Sequence, residues 1–172
     1  IQMVQIHGDV ADGFGAVADA FELNFGDAGE VGAACCIYLA GSPVVDLWGG
    51  VADAESGRLW ESDTLQLHFS TTKGIGAICA ALLYERGLLD YEAPVAEYWP
   101  EFAGGGKQDV TVAQCLSHQA GLAALDTPLT MEELCAVEPV LRAIESQEPL
   151  WAPGTANGYH AITYGWTLGE IV

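Results

Sequence analysis

Phe69-Ser70-Thr71-Thr72-Lys73-Gly74-Ile75-Gly76-Ala77 is the stretch on which the fold assignment turns. It stands where a β-rich N-terminal region gives way to a long apolar run. The spacing predicts a helix from Ser70 to about Arg86, with Ser70 and Lys73 one turn apart on one face at its N-terminus. A serine hydroxyl is a weak nucleophile until a base takes its proton. A lysine can be that base only as the free amine, a form that a helix N-terminus and apolar neighbours favour, here Phe69, Ile75 and Ile78. The pair therefore suits Ser–Lys acyl transfer. Taken alone, Ser-x-x-Lys is more often a serine N-cap with an exposed lysine on the first turn. The chain holds six serines and two lysines, so context has to decide.

Composition narrows the classes. A chain of 172 residues, 51% hydrophobic, with a mean hydropathy of +0.24, carries one domain's worth of core and is not a disordered tail. The net charge of −19 arises from 24 acidic against 5 basic residues. A surface so negative disfavours nucleic acid and anionic membrane as partners. The five cysteines (Cys35, Cys36, Cys79, Cys115, Cys135) form no C-x-x-C pair. Buried thiols in a reducing compartment are the expectation. No stretch reads as a signal peptide, and the apolar, uncharged run 31–45 is broken at Gly41-Ser42-Pro43, so the chain reads as soluble and cytoplasmic. His7 and His68 lack metal-ligand companions at useful spacing, so no metal and no cofactor is expected.

Outward from the central stretch, Val10, Phe14, Val17, Phe21 and Phe25 recur at helical spacing, predicting a helix over 10–25 that ends near Gly26-Asp27. Residues 33–39 and 44–51 read as a hairpin turning at Gly41-Ser42-Pro43, followed by an irregular passage over 52–68. A two-stranded sheet is not a stable unit, so further strands are expected from outside the chain. Beyond the Ser70 helix, Gly87 supplies a left-handed cap, 94–100 a short helical turn, and Gly104-Gly105-Gly106 a flexible tip. Helices are expected over 110–116 and over 131–144, the latter compromised by Pro139, and a last helical run opens at Tyr159. Glycines 74 and 76 inside the Ser70 helix imply close backbone approach, expected toward the sheet.

Three local patterns then fall in order: Ser70-Thr71-Thr72-Lys73, Leu116-Ser117-His118-Gln119-Ala120-Gly121-Leu122, and Pro153-Gly154-Thr155-Ala156-Asn157-Gly158-Tyr159-His160-Ala161. Their order and spacing resemble the serine β-lactamase-like superfamily, in particular its class C and family VIII carboxylesterase branch, from Ala33 onward. The resemblance implies an α+β fold of the β-lactamase/transpeptidase type, an antiparallel sheet flanked by helices plus a mostly helical region. It implies Ser70 as the acylated nucleophile, Lys73 as the group assisting its deprotonation, and Tyr159 as the proton shuttle to the leaving group. The backbone N–H of Ser70 would supply half of an oxyanion hole. His160 and Ala161, beside Tyr159, are candidates for substrate contact. Tyr164 is expected to pack, His118 to be structural, and Asn157 to cap the turn.

The sequence departs from the resemblance in two places. Class C enzymes carry Tyr-x-Asn, whereas the third position here is Ala161, which offers no side-chain hydrogen bond. The family's third motif, on a C-terminal strand, has no counterpart within the 172 residues. The expectation is a single incomplete domain over 1–172, with an N-terminal helix and hairpin in 1–68 and a helical region in 69–172. A further segment of the same protein or a second chain would complete it. The function expected is hydrolysis of short-chain, small-molecule carboxylic esters through an acyl-enzyme on Ser70. The alternatives are a β-lactamase or D-alanyl peptidase on the same residues, and a catalytically silent binding protein.

Overall fold

In the computed structural model, which describes residues 4–26 and 28–172, the chain divides into two compact units, 1–67 and 68–172. The first runs β1 (Ile6–Val10), α1 (Gly15–Gly26), β2 (Gly32–Leu39), β3 (Ser42–Asp53) and β4 (Arg58–Leu59). Every pairing is antiparallel, in the order β1-β3-β2, with β4 pairing on the far part of β3. The expected hairpin forms, but it turns one residue earlier. Ala40 (φ 49°) and Gly41 (φ 82°) make a two-residue loop with both φ positive, the geometry that matches strand twist, and Ser42 already pairs with Leu39.

The sheet is larger than the sequence suggested, because β1 and β4 come from this chain. Strand β1 is hidden in sequence by Gly8 and Asp9, both poor strand formers. Gly8 is required there: its φ is +108°, and a Cβ would collide with the carbonyl of Asp46 opposite. The helical stripe was real but began too early. Val10 ends β1, the chain turns, and α1 starts at Gly15; Asp27 lies outside the described residues. All five stripe residues still meet on one core, where Phe21 packs with Val45 and Leu47, and Val10, Phe14, Val17 and Phe25 surround them.

The second unit opens with a 3-10 turn (Phe69–Thr71) running into α2 (Thr72–Glu85). Helix α2 ends as expected: Gly87 adopts φ 69°, and Leu88 N–H reaches back to Leu83 O. Further 3-10 turns cover Val95–Glu97 and Pro100–Gly106, followed by α3 (Val112–Leu116), α4 (Met131–Cys135), α5 (Glu138–Ser146) and α6 (Thr163–Ile171). Thr111 with Gln114, and Thr130 with Glu133, form reciprocal capping boxes that start α3 and α4. The helix expected over 131–144 is two helices. Pro139 cannot donate to the Cys135 carbonyl and would crowd it, so the chain breaks at Val137 (φ 66°) and restarts with Pro139 in the first turn of α5. Val95, Phe102, Val112, Leu122, Val140 and Ile144 form the core of this unit. Gly76 lets α2 approach α6 rather than a sheet, since a Cβ there would strike Leu168; nothing in the structure explains Gly74. Of the five thiols only Cys115 is buried, and burial pushes its pKa up to about 12; Cys36, Cys79 and Cys135 are exposed, contrary to expectation.

The 104–106 segment is packed, not a tip. Lys107 is fully buried, and its ammonium donates to the carbonyls of Gly104, Glu145 (3.0 Å) and Gln147. Three N–H bonds on three acceptors satisfy the cation, and two of the carbonyls end α5, where positive charge is favoured. Burial lowers the Lys107 pKa to about 8, with Glu145 opposing. Lys107→Met strands those carbonyls, and the expected loss is about 3 kcal/mol in urea unfolding at pH 7. Between pH 8 and 10.5 the folded chain binds fewer protons here than the unfolded one, so the wild type should gain stability over the variant as pH rises through that window. A constant difference would contradict the assignment.

Candidate active site

Ser70 and Lys73 are brought together by the first turns of α2, though not as one regular helix. Ser70 lies in the 3-10 turn and Lys73 in the first turn of α2. Phe69, immediately before Ser70, adopts φ 42°. For a bulky L-residue that is a strained conformation, costing roughly 1–3 kcal/mol. Such strain is kept where the chain must present a neighbouring side chain in a set direction. In the first turn the helical ladder offers the Ser70 N–H no acceptor, leaving it free to bind an anion. The apolar surround anticipated for Lys73 is not there: Phe69, Ile75 and Ile78 are all exposed.

Polar partners hold Lys73 instead. Its Nζ donates to Ser70 Oγ at 3.1 Å and to the backbone carbonyl of Ala161 at 2.9 Å. It also lies 5.0 Å from the ring centroid of Tyr159 and 5.8 Å from that of Tyr164. Interactions with the Ser70 hydroxyl first and the Lys73 amine second hold the Tyr159 phenol below its ordinary pKa. Burial pushes the Tyr164 phenol the other way, so of the two tyrosines near Lys73 only Tyr159 is made more acidic. Hydroxyl, amine and phenol thus share one exposed site, and an open groove of about 610 Å³ runs from it between α2 and α6, past Ile75, Cys79, Ile162 and Trp166.

Tyr159 does not open a helix, contrary to expectation. It sits in an irregular loop, and α6 starts at Thr163. The 117–119 segment holds that loop: Gly154 N–H donates to Gln119 O (3.0 Å), Gly158 N–H to His118 O (3.1 Å), and Asn157 Nδ2 to Ser117 O (2.6 Å). Trp151 supports it from below, with its indole N–H on Ala156 O and its ring against Gly158. His160, a candidate for substrate contact, is 3% exposed, with both ring nitrogens engaged by backbone groups. Ala161 is exposed and serves the site through its carbonyl. Sequence reasoning missed that acceptor, because a main-chain carbonyl leaves no residue-type signal. Among the described residues no cluster of His, Cys, Asp and Glu could hold a metal, and no helix is long and apolar enough to cross a membrane.

The model of the Beta-lactamase family matches residues 17–172, and the chain belongs to that family. It is 40% identical over 161 residues to the esterase/beta-lactamase LipL of Mycobacterium tuberculosis, covering 92% of this chain and 36% of that protein. A crystal structure of a family VIII carboxylesterase superposes with a TM-score of 0.91 at 49% identity, covering 97% of this chain and 45% of that one. A penicillin-binding protein homolog from Caulobacter crescentus superposes equally well, with a TM-score of 0.91 at 42% identity and the same coverage. The fold is therefore the β-lactamase/transpeptidase-like one, and the chain spans less than half the length of these relatives.

The electrostatic link between amine and phenol can be measured without any substrate. Lys73→Met should raise the midpoint of Tyr159 ionisation toward the ordinary value of about 10, read by ultraviolet difference spectroscopy with Tyr159→Phe identifying the signal. An unchanged midpoint would mean that the amine does not act on the phenol.

Proposed function

We propose that this chain carries the nucleophile and proton-transfer groups of a serine hydrolase acting on short-chain carboxylic esters. The observation that carries the reading is the meeting of Ser70, Lys73 and Tyr159, distant in sequence, within hydrogen-bonding and cation–ring range. Ser70 Oγ attacks the ester carbonyl carbon and forms a C–O bond, while its proton passes to the ionised oxygen of Tyr159. Lys73 holds the hydroxyl and stabilises the phenolate beside it. The carbonyl oxygen, now anionic, is bound by the Ser70 N–H. As the tetrahedral intermediate collapses, the bond to the alcohol oxygen breaks and Tyr159 returns the proton to that oxygen. Water, activated by the same phenolate, then releases the acid and restores Ser70.

Ester is favoured over lactam by one position. Where class C enzymes place an amide side chain on the substrate, this chain has Ala161, whose carbonyl is already engaged by Lys73. The lactamase or peptidase alternative retains support from the relatives' names, since one is called an esterase/beta-lactamase and another a penicillin-binding protein homolog. A catalytically silent binding protein is the third reading.

A fluorophosphonate probe, a chromogenic short-chain ester and a chromogenic cephalosporin separate these readings in the intact protein. Labelling and ester turnover should both be present in the wild type and fall at least about a thousandfold in Ser70→Ala, with cephalosporin cleavage far slower than ester cleavage. Cephalosporin turnover matching the ester would move the assignment to the lactamase branch. Absence of labelling in a folded protein would favour the silent reading.

A further inference from the structure

We propose that His118 and His160 are paired positioning residues for Tyr159, which hold its loop in place only while both imidazoles are uncharged. The inference rests on the reading of Tyr159 as the proton-transfer group. It starts from the bonds on either side of that residue.

His160 Nε2 accepts the backbone N–H of Leu122 at 2.9 Å, and its Nδ1 lies 2.5 Å from the carbonyl of Gly158. A carbonyl can only accept, so Nδ1 must carry the hydrogen. The ring is thereby fixed in one tautomer, with its lone pair aimed at an N–H. A second proton would set two donors head to head and break the bond to Leu122. His118 repeats the logic. Its Nδ1 accepts the backbone N–H of His160 at 3.1 Å, and its own carbonyl takes the N–H of Gly158. Both chain neighbours of Tyr159 are therefore tied to the imidazole pair, Gly158 through its carbonyl and His160 through its N–H, while the Gly158 N–H is held by the His118 main chain.

The His118 ring also packs beside Tyr159. His118 lies 4.9 Å from the Tyr159 ring, 5.0 Å from Tyr164 and 5.5 Å from His160, centroid to centroid. His118 adopts φ 62°, a conformation kept only where surrounding contacts hold it. The groups facing the pair give an imidazolium no support. Lys73 faces His118 from α2, Tyr164 from α6 and Tyr159 from the loop, while the edge of Trp151 meets His160. Among the described residues no carboxylate bonds to either ring. Burial and then Lys73 hold His118 below its ordinary pKa; burial, and more weakly His118, do the same to His160 against the opposing Gly158 carbonyl. Both rings thus stay neutral at physiological pH, the state in which their lone pairs hold the loop. Protonation at lower pH releases the loop and misplaces the phenol, together with the Ala161 carbonyl that holds Lys73, while Ser70 and Lys73 keep their places at the start of α2.

The decisive contrast is His118→Ala against His118→Asn in the intact protein. Asparagine keeps an acceptor near the place of Nδ1, tolerates positive φ and does not titrate. Alanine should lower kcat for ester hydrolysis by about a hundredfold with KM changed less than about threefold, as expected for a misplaced proton-transfer group. Asparagine should recover at least about tenfold of that loss, and the acid-side fall in activity should become shallower than in the wild type. Equal losses in the two variants, or no loss in either, would overturn the proposal. Nitrogen-15 and proton NMR of the wild-type protein tests it without catalysis and without a variant that must fold. The expected result is His160 protonated at Nδ1 alone, with the Tyr159 ring signals shifting as His118 titrates. The opposite His160 tautomer, or Tyr159 signals indifferent to that titration, would overturn it even if Ser70 proves to be the nucleophile. Loss of the hydrolase reading alone would leave these signals unchanged.

Discussion

A loop with no repeating hydrogen-bond ladder holds a side chain still only if something else satisfies its backbone, and here 117–121 does that work for 150–160. Leu150 N–H bonds to Gly121 O, Gly154 to Gln119 and Gly158 to His118, with the Asn157 amide on Ser117. This pairing joins two of the three sequence patterns into one object. The third pattern, at the start of α2, meets the same loop through Lys73, which reaches the Ala161 carbonyl and the Ser70 hydroxyl together, and through Ser70, whose hydroxyl interacts with the Tyr159 phenol. The site is therefore a junction of helix and loop, and backbone hydrogen bonds fix its geometry more than side-chain packing does.

The scarcity of cations takes on meaning at this junction. Both lysines of the chain are committed to polar contacts: Lys107, buried, to three carbonyls, and Lys73, in the open site, to a hydroxyl and a carbonyl. Arg142 is spent on an exposed ion pair with Glu138 in α5, a contact worth about 0.3–0.5 kcal/mol. The outer surface is thus even more acidic than the net charge of −19 conveys.

Much of the candidate site was legible because it includes one of the chain's two lysines. A Ser-x-x-Lys tetrad followed by two further patterns in order singled out Ser70, Lys73 and Tyr159, while helical spacing located α1, a long apolar run α2, and strand-like residues about a turn the β2–β3 hairpin. What stayed hidden has physical causes. Strand β1 is built around a glycine that packing requires and propensity disfavours. The break between α4 and α5 depends on a single proline whose effect on helix continuity has to be traced back to the carbonyl it would crowd. Lys107 looked like a residue beside a glycine-rich tip, because nothing local says that its head will meet the end of α5. His160 looked like a ligand-facing residue by adjacency, yet in an irregular loop successive side chains need not share a face. The Ala161 carbonyl could not be foreseen, since every residue has one.

The central claim is that hydroxyl, amine and phenol act as one unit. The most direct test is a double-mutant cycle on the rate at which Ser70 is modified by a fluorophosphonate, using Lys73→Met, Tyr159→Phe and the two combined. Groups that work as a unit give non-additive losses, so the double variant should react within about threefold of the slower single variant. Losses that multiply would show two independent contributions and contradict the account.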